Sequence, residues 1–413
     1  MEYRTYLSVL FDSHLRFVFL GQALATTASR FFDITLIWLA LEASDNYQAA
    51  GIVVFFRFIP YALLGLFGGW VSDCFNRARI IFLSDMFRAV VIFVLLLLME
   101  SGFNQIILLS GAAFLLTSAR VFFQPSIQGL LPEFTKQDKL VHANALLHGL
   151  NETSGIIAPV IAGFLLAFLS INNFLILICI IFSIAAFFIS IIQTSKSGYQ
   201  KTIPIMTNII NDYKNLFRYL LSQRLILNAI LLNSLAVLGI GGVLNFLIPA
   251  LIKLKFPNGP EFLGILVGAI ALGTVLGAYA TAHVGQKHRN LCLYYAWSVY
   301  GVLIICLALP ASFSISLAIG LALGSVGAFP DILFATLIQT NVPKEHISKT
   351  FALFSTLANT GEALSALLLA IVLGTFGLIS AFVIGGTISI AVGILGVLSL
   401  RVNVSDNKKL IGS

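Results

Sequence analysis

The sequence predicts an all-α membrane protein with twelve transmembrane helices arranged as two pseudo-symmetric six-helix bundles. Its 413 residues are 59% hydrophobic and only 10% charged, and its mean hydropathy of +0.99 lies far outside the range of soluble domains. Apolar stretches of about twenty residues, the length that a helix needs to cross a bilayer core of about 30 Å, recur along the whole chain. The second half of the sequence also resembles the first.

Turn residues and short polar connections divide the apolar sequence into twelve predicted spans. Each is long enough to cross the hydrocarbon as a single helix. We place the spans at residues 17–41, 48–71, 79–99, 104–124, 143–169, 173–194, 225–252, 262–283, 291–309, 313–338, 350–375 and 378–400.

The distribution of basic residues predicts the orientation of the chain. Of the 24 Lys and Arg residues, 18 lie on the side of the N-terminus, whereas Lys253 and Lys255 lie on the other side and four arginines lie within spans. Cytoplasmic loops carry the excess of basic residues. We therefore expect a multi-pass protein of the bacterial inner membrane with both termini in the cytoplasm.

The longest connection lies between the sixth and seventh spans. Its apolar residues recur at helical spacing, which predicts a short amphipathic helix on the membrane surface. These residues are Ile209, Ile210, Tyr213, Leu216, Phe217 and Leu220. The predicted organisation is an N-terminal six-helix bundle at residues 1–194, a cytoplasmic linker at 195–223, a C-terminal six-helix bundle at 224–402 and a cytoplasmic tail at 403–413.

An internal duplication is indicated by an offset of 207 residues. This offset aligns Lys136–Asn144 (KQDKLVHAN) with Pro343–Phe351 (PKEHISKTF), and then ALLHGLNETSG with ALFSTLANTGE. Two parallel six-helix repeats with a binding site near the bilayer midplane are a recurring plan of secondary transporters. The duplication therefore predicts transport by alternating access.

Nine charged residues lie in the interior of predicted spans. One charged side chain at the centre of a bilayer costs about 2.5–3.5 kcal/mol on insertion scales, so these groups need partners, a hydrated cavity or both. The acids are Asp33, Asp85, Glu152, Asp331 and Glu362, and the bases are Arg30, Arg57, Arg88 and Arg120. The pattern indicates a polar pathway through the membrane.

The buried acids are candidate proton carriers. A carboxyl group in apolar surroundings favours its neutral form and so can hold a proton, whereas arginine does not release one. Glu152 and Glu362 have no charged neighbour within a turn on their own helices, although each could equally be a protonated, hydrogen-bonded structural residue. Arg30 and Asp33 share a helix face, so they form either an internal ion pair or a coupling site.

Several motifs resemble those of the major facilitator superfamily, in the drug:proton antiporter branch of macrolide-efflux and enterobactin-exporter proteins. Residues 69–79 read GWVSDCFNRAR, similar to G-x-x-x-D-R-x-x-R-x-R with the first Arg missing. Residues 84–89 read SDMFRA, similar to S-D-x-x-R-A. Residues 154–163 read SGIIAPVIAG, which resembles the exporter signature G-x-x-x-G-P-x-x-G-G with three glycines replaced by small residues.

The resemblance implies the major facilitator fold and roles for individual residues. In that fold the first, fourth, seventh and tenth spans line the cavity, which favours Asp33, Arg120 and Asp331 as functional residues. The proton-coupling candidates are Asp33, Glu152, Asp331 and Glu362, with Arg30, Arg57, Arg88 and Arg120 as charge partners. The resemblance implies a conformational latch at Gly69, Asp73, Arg77 and Asp85.

Other functional classes lack their motifs. The sequence contains no Gly-x-x-x-x-Gly-Lys-Ser/Thr run for ATP, no His-Glu-x-x-His for zinc and no Gly-x-Ser-x-Gly nucleophile turn. The basic residues form no continuous face for nucleic acid, and the four cysteines are too far apart in the sequence to indicate a disulfide framework or a zinc site. We therefore expect no enzyme, no cofactor and no metal, and an ion gradient of protons or sodium as the energy source.

These observations predict a proton-coupled exporter of an amphipathic small organic molecule, either a siderophore or a macrolide-like drug. Uptake or facilitated diffusion of a small organic solute is the alternative within transport. A non-transporting sensor or assembly protein on the same scaffold is the alternative from another class. Four arginines with several acids suit an anionic siderophore as well as a weakly basic drug, so the sequence leaves the substrate open.

Overall fold

A computed structural model describes residues 15–43, 48–135, 139–192, 206–256, 260–284, 288–309 and 312–411. Within these ranges the side chains at positions 66, 73, 141, 206–213, 344, 345, 348 and 401–411 are not described. The predicted first half of the linker, at residues 195–205, and the two ends of the chain lie outside the described residues.

The described part of the chain is all-α and contains no strand, and twelve of its helices are long and apolar enough to cross a membrane. This confirms the predicted fold class and the number of spans. The helices that contain the twelve spans are, in order, Leu15–Glu42, Gln48–Cys74, Arg77–Met99, Gln105–Phe134, Leu140–Phe168, Ile171–Ser190, Arg224–Lys255, Pro260–Ala282, Arg289–Leu307, Phe313–Asn341, Lys344–Phe376 and Leu378–Ile411, and the candidate span of the last helix is Leu378–Leu400.

Polar caps set where several spans begin. The Asn76 side chain accepts a hydrogen bond from the Arg79 amide at 3.0 Å, and Asn104 accepts from Ile106 and Ile107. Such N-caps satisfy backbone N–H groups that have no partner within the helix. They fix the starts of the third and fourth spans, which carry Arg88 and Arg120.

The chain divides into two compact units. The first comprises residues 1–45, 56–203 and 258–268, and the second comprises 46–55, 204–257 and 269–413. In the first unit, the first span packs on the fifth and sixth, and the third packs on the fourth and sixth. In the second unit, the seventh span packs on the eleventh and twelfth, and the ninth packs on the tenth and twelfth. Equivalent spans therefore have equivalent neighbours, as an internal duplication predicts.

Large apolar side chains fill each unit. In the first unit, Phe174 and Phe182 of the sixth span are fully buried, and the Phe31 ring stacks on Phe174 with centroids 5.4 Å apart. In the second unit, Phe246 and Phe382 are fully buried. These contacts hold the spans against one another and so fix the positions of the polar side chains between them.

Glycines of the eighth span allow close helix packing. In the first unit, a Cβ added to Gly264 would lie 2.6 Å from the Pro159 carbonyl oxygen of the fifth span. In the second unit, a Cβ added to Gly277 would clash with the Ser325 carbonyl of the tenth span. Small residues at such positions let two helix backbones approach each other within a membrane.

The linker contains a helix at Met206–Ser222. Its Leu216 and Leu220 are fully buried, while Phe217 is half exposed. The Tyr219 hydroxyl donates a hydrogen bond to the Asn341 carbonyl oxygen at 3.3 Å, and its ring stacks on His346. Partial burial raises the pKa of the Tyr219 hydroxyl, which keeps it a hydrogen-bond donor. The helix agrees with the predicted periodicity, and its place on a membrane surface stays a prediction.

We expect Gly277→Ala to destabilise the protein, because the added methyl group meets the Ser325 backbone, which a side-chain rotation cannot move away. Overpacking of this kind costs about 1–3 kcal/mol. The loss would appear as a lower melting temperature of the protein in detergent. Gly111→Ala is the matched control, since no atom lies within 4 Å of its added Cβ. Equal melting temperatures for the two variants would show that the eighth and tenth spans do not make this contact.

Candidate functional site

A polar cavity of about 210 Å³ lies inside the first unit, between the first, third, fourth and fifth spans. We call it the arginine pocket, because three guanidinium groups contribute to its wall. Its polar and charged lining residues are Gln22, Thr26, Ser29, Arg30, Arg88, Arg120, Gln124, His148, Asn151 and Glu152.

Each guanidinium nitrogen of Arg88 has a hydrogen-bond partner. Its side chain is 3% exposed and forms an ion pair with Asp85, which is 0% exposed and lies one turn earlier on the same span. The guanidinium also donates to the Ser84 carbonyl and the Ser29 hydroxyl, at 3.3 and 3.2 Å. Phenyl rings of Phe123 and Phe182 lie 4.5 and 4.8 Å from it. Arg88 is therefore a neutralised group of the core.

Asp33 is neutralised from the second span and not from its own helix. Its Oδ2 lies 2.7 Å from Nη2 of Arg57, and both side chains are largely buried. The Arg57 guanidinium also lies 5.1 Å from the Phe58 ring. The structure thus replaces the Arg30–Asp33 pair, which the sequence offered as one alternative, with an Asp33–Arg57 pair.

Arg30 and Arg120 have no ion-pair or hydrogen-bond partner among the described residues. The Arg30 Nε is buried and unpaired, and its Nη2 lies 4.0 Å from the position that a Cβ on Gly155 would take. Arg30 also experiences the positive charges of Arg120 and Arg57 against the negative charges of Asp33 and Glu152. Arg120 likewise interacts electrostatically with Tyr61 and Asp33. The arginine pocket therefore holds an excess of positive charge, since Glu152 is the single carboxylate among its described lining residues.

Amides and hydroxyls form a network on one wall of the arginine pocket. Gln22, which is only 2% exposed, donates from Nε2 to the Thr26 hydroxyl at 3.1 Å and to Asn151 Oδ1 at 2.9 Å. Its Oε1 is buried without a partner. These bonds hold the amide in one orientation, so an acceptor oxygen without a partner remains in a residue that lines the arginine pocket.

A second cavity of about 340 Å³ lies inside the second unit. We call it the aromatic pocket, because its lining includes Trp297, Tyr300, Phe334, Phe351 and Phe354. The Phe334 and Phe354 ring centroids are 4.3 Å apart, and Trp297 Nε1 donates to Asn233 Oδ1 at 2.8 Å. Two predicted carrier residues, Asp331 and Glu362, also line this cavity.

Sequence reasoning missed the irregular turn that faces Glu362. The seventh span changes to a π-helix at Val243–Leu247, where Asn245 donates from Nδ2 to the Gly241 carbonyl at 2.9 Å. The same Nδ2 lies 3.5 Å from Glu362 Oε2, and a Cβ added to Gly241 would lie 2.8 Å from the Glu362 side chain. π-Turns inside α-helices are frequent at functional sites. The sequence signal was the glycine-rich run GIGG immediately before the turn, at residues 239–242.

The family described as transmembrane secretion effector matches residues 5–413. The chain belongs to this family of the major facilitator superfamily. Macrolide efflux protein A of Streptococcus pyogenes is 22% identical to this transporter over 383 residues, which cover 92% of this chain and 94% of that protein. The staphyloferrin A transporter of Staphylococcus aureus is 24% identical over 285 residues, which cover 66% and 68% of the two chains.

The fold of the transporter also matches solved structures of the superfamily. The nucleoside transporter NupG superposes with a TM-score of 0.70 at 12% identity, covering 93% of this chain and 98% of that chain. At this identity the likeness shows the fold alone. The chain is therefore a multi-pass membrane transporter of small molecules and not an enzyme.

The predicted latch residues have separate surroundings in the transporter. Arg77 donates from Nη1 to Glu133 Oε1 at 2.7 Å and to the Gly129 carbonyl at 3.1 Å, which joins the third span to the fourth. Asp85 is instead the buried partner of Arg88. No atom lies within 4 Å of a Cβ added to Gly69. The Asp73 side chain lies outside the described residues.

We expect Asp85→Leu to be strongly destabilising, because it leaves the Arg88 charge buried and unpaired. Removing one partner of a buried ion pair costs about 3–5 kcal/mol, whereas replacing both partners by apolar residues is often neutral. The double variant Asp85→Leu/Arg88→Met should therefore melt at a higher temperature than Asp85→Leu alone. If the second substitution instead lowers the melting temperature further, Arg88 stabilises the core without help from Asp85.

Proposed function

We propose that this transporter exports an amphipathic small organic molecule, a siderophore or a macrolide-like compound, in exchange for protons. In this proposal it lies in the bacterial inner membrane with both termini in the cytoplasm and works by alternating access of its two repeats. The main support for this proposal is the aromatic pocket of the second unit, whose lining combines aromatic and aliphatic side chains with two carboxyl groups.

The aromatic pocket suits the apolar part of such a molecule. Ligand cavities are lined mainly by apolar and aromatic side chains, with a few polar groups that orient the ligand. Here rings of Trp297, Tyr300 and Phe351 supply apolar contact, and Asn233 is held in place by Trp297. The names of two relatives, macrolide efflux protein A and the staphyloferrin A transporter, support cargo of this size and character.

Glu362 is the proton carrier that the geometry supports best. It lines the aromatic pocket among aromatic and aliphatic side chains, and the Asn245 amide donates a hydrogen bond to its Oε2 at 3.5 Å. A carboxyl group that reaches the cavity in this way is placed to exchange a proton beside the cargo. The π-turn supplies this amide from the neighbouring span.

The other candidate carriers differ in their surroundings. Asp33 is held in an ion pair with Arg57 at 2.7 Å, which would have to separate before Asp33 could act as a carrier. Glu152 shares the arginine pocket with Arg30 and Arg120, and Asp331 lines the aromatic pocket beside Pro330. We rank these three residues after Glu362.

The latch remains part of this proposal. We assign Gly69, Asp73, Arg77 and Asp85 to conformational control and not to substrate binding. The support is the Arg77–Glu133 contact, which ties the start of the third span to the end of the fourth. A contact of this kind would keep the ends of the two spans together while the repeat moves as one body.

We expect Glu362→Gln to abolish substrate-driven proton movement. In everted vesicles with an acid interior, adding a macrolide or a siderophore to wild-type transporter should collapse the pH gradient, because the cargo enters as protons leave. With Glu362→Gln the collapse should fall to the level of vesicles without the protein. Glu362→Asp keeps the carboxyl group and should retain part of the activity.

Glu100→Gln is the matched control for this experiment. Glu100 follows the third span, where its Oε1 accepts a hydrogen bond from Asn172, and it lines neither pocket. Its variant should collapse the gradient as the wild type does. Equal collapse by Glu362→Gln would exclude Glu362 as the carrier. Absence of collapse with every compound in the wild type would overturn proton-coupled export.

A further inference from the structure

We infer that the arginine pocket binds an oxyanion group of the cargo, a carboxylate or a phosphate, through Arg30 and Arg120. The inference rests on the proposed export of an amphipathic molecule and adds the chemical class of its polar part. The residues that would bind this group all lie in the first unit.

Charge balance supplies the first argument. Arg88 is neutralised by Asp85 and Arg57 by Asp33, so two of the four buried arginines are accounted for within the protein. Among the described residues that line the arginine pocket, Glu152 supplies the single carboxylate beside Arg30 and Arg120. The two unpaired cations exceed it by one charge. Charges in a membrane interior need partners, and one anionic ligand group would restore neutrality.

The shape around Arg30 supplies the second argument. A Cβ added to Gly155 of the fifth span would lie 4.0 Å from the Arg30 Nη2, so glycine at this position leaves the space beside the guanidinium open. The cavity of about 210 Å³ is large enough for a carboxylate or phosphate with attached water. Guanidinium groups present forked N–H donors whose geometry matches these oxyanions.

The neutral lining supplies the third argument. Gln22 is nearly fully buried, yet its Oε1 has no donor, while the Thr26 and Asn151 side chains hold its amide in place. A hydroxyl group next to a ligand carboxylate would satisfy this oxygen. Buried polar atoms without partners are rare in folded proteins, and the arginine pocket is lined by two residues that have one, Gln22 at Oε1 and Arg30 at Nε, which points to a ligand.

Glu152 is the competitor of this ligand. It lies on the same wall as His148 and close enough to influence Arg30 electrostatically, although the two form no ion pair. If Arg30 binds a ligand, Glu152→Gln strengthens anion binding because it removes the competing charge. If Arg30 serves Glu152, the same change leaves anion binding unaltered and lowers the melting temperature.

The test measures binding to the purified full-length transporter in detergent by isothermal titration calorimetry. The probes are citrate, inorganic phosphate, chloride and the cation tetraphenylphosphonium, each at the same ionic strength. Citrate or phosphate should bind the wild type more tightly than chloride. Arg30→Gln and Arg120→Gln should each weaken that binding at least tenfold, and Glu152→Gln should tighten it.

Two further variants separate binding from folding. Arg79→Gln removes an exposed arginine at the start of the third span and should leave anion binding unchanged. Gly155→Leu adds no charge but fills the space beside Arg30, so it should weaken anion binding as Arg30→Gln does. If Arg30→Gln does not fold, Gly155→Leu provides the test in its place. The melting temperature is measured for every variant.

The outcomes are distinct. Tight binding of citrate alone identifies a carboxylate, and tight binding of phosphate alone identifies a phosphate. Binding no tighter than that of chloride, or an equal loss in Arg79→Gln, overturns the inference. Oxyanion binding without gradient collapse by any cargo would reject proton-coupled export and leave the anion site standing. If cationic macrolides collapse the gradient and still do so with Arg30→Gln, proton-coupled export stands and the assignment of an oxyanion group to the cargo is rejected.

Discussion

A charge within the hydrocarbon of a membrane has no water to solvate it, and this constraint organises the first unit. Arg88 is placed between two phenyl rings with Asp85 beside it, and Asp33 receives Arg57 from the neighbouring span. Once these pairs form, the remaining cations face a cavity. The arginine pocket is therefore defined as much by the groups that are already neutralised as by those that line it.

The second unit handles polarity differently. Its aromatic pocket contains no arginine, lysine or histidine among the described lining residues, and its two acids are set among rings and aliphatic side chains. The Asn245 amide that contacts Glu362 lies in the π-helical turn of the seventh span. A regular α-helical turn would orient this side chain differently. The two units thus keep the same pattern of neighbouring spans but carry opposite electrostatic character in their pockets.

Much of the fold could be predicted from the sequence, because a run of about twenty apolar residues decides whether a segment crosses a bilayer. The basic partner of each acid could not be predicted from the sequence. Arg30–Asp33 and Asp85–Arg88 have the same three-residue spacing, yet only the second pair forms. Asp33 instead forms its ion pair with Arg57 on another helix. Apart from the glycine-rich run at residues 239–242, the π-turn left little trace in the sequence, because one widened turn barely alters a pattern of hydrophobic residues.

The unpaired arginines have a consequence for the energy source. A bacterial cell is electrically negative inside, and moving one elementary charge across 100 mV is worth about 2.3 kcal/mol. Cargo with a net negative charge would leave the cell along this field, and 100 mV alone would support an outward concentration ratio of roughly fifty for each charge. A proton entering in exchange would move in the favourable electrical direction as well. A pocket that selects anions would therefore make voltage, and not only acidity, a force that drives the cycle.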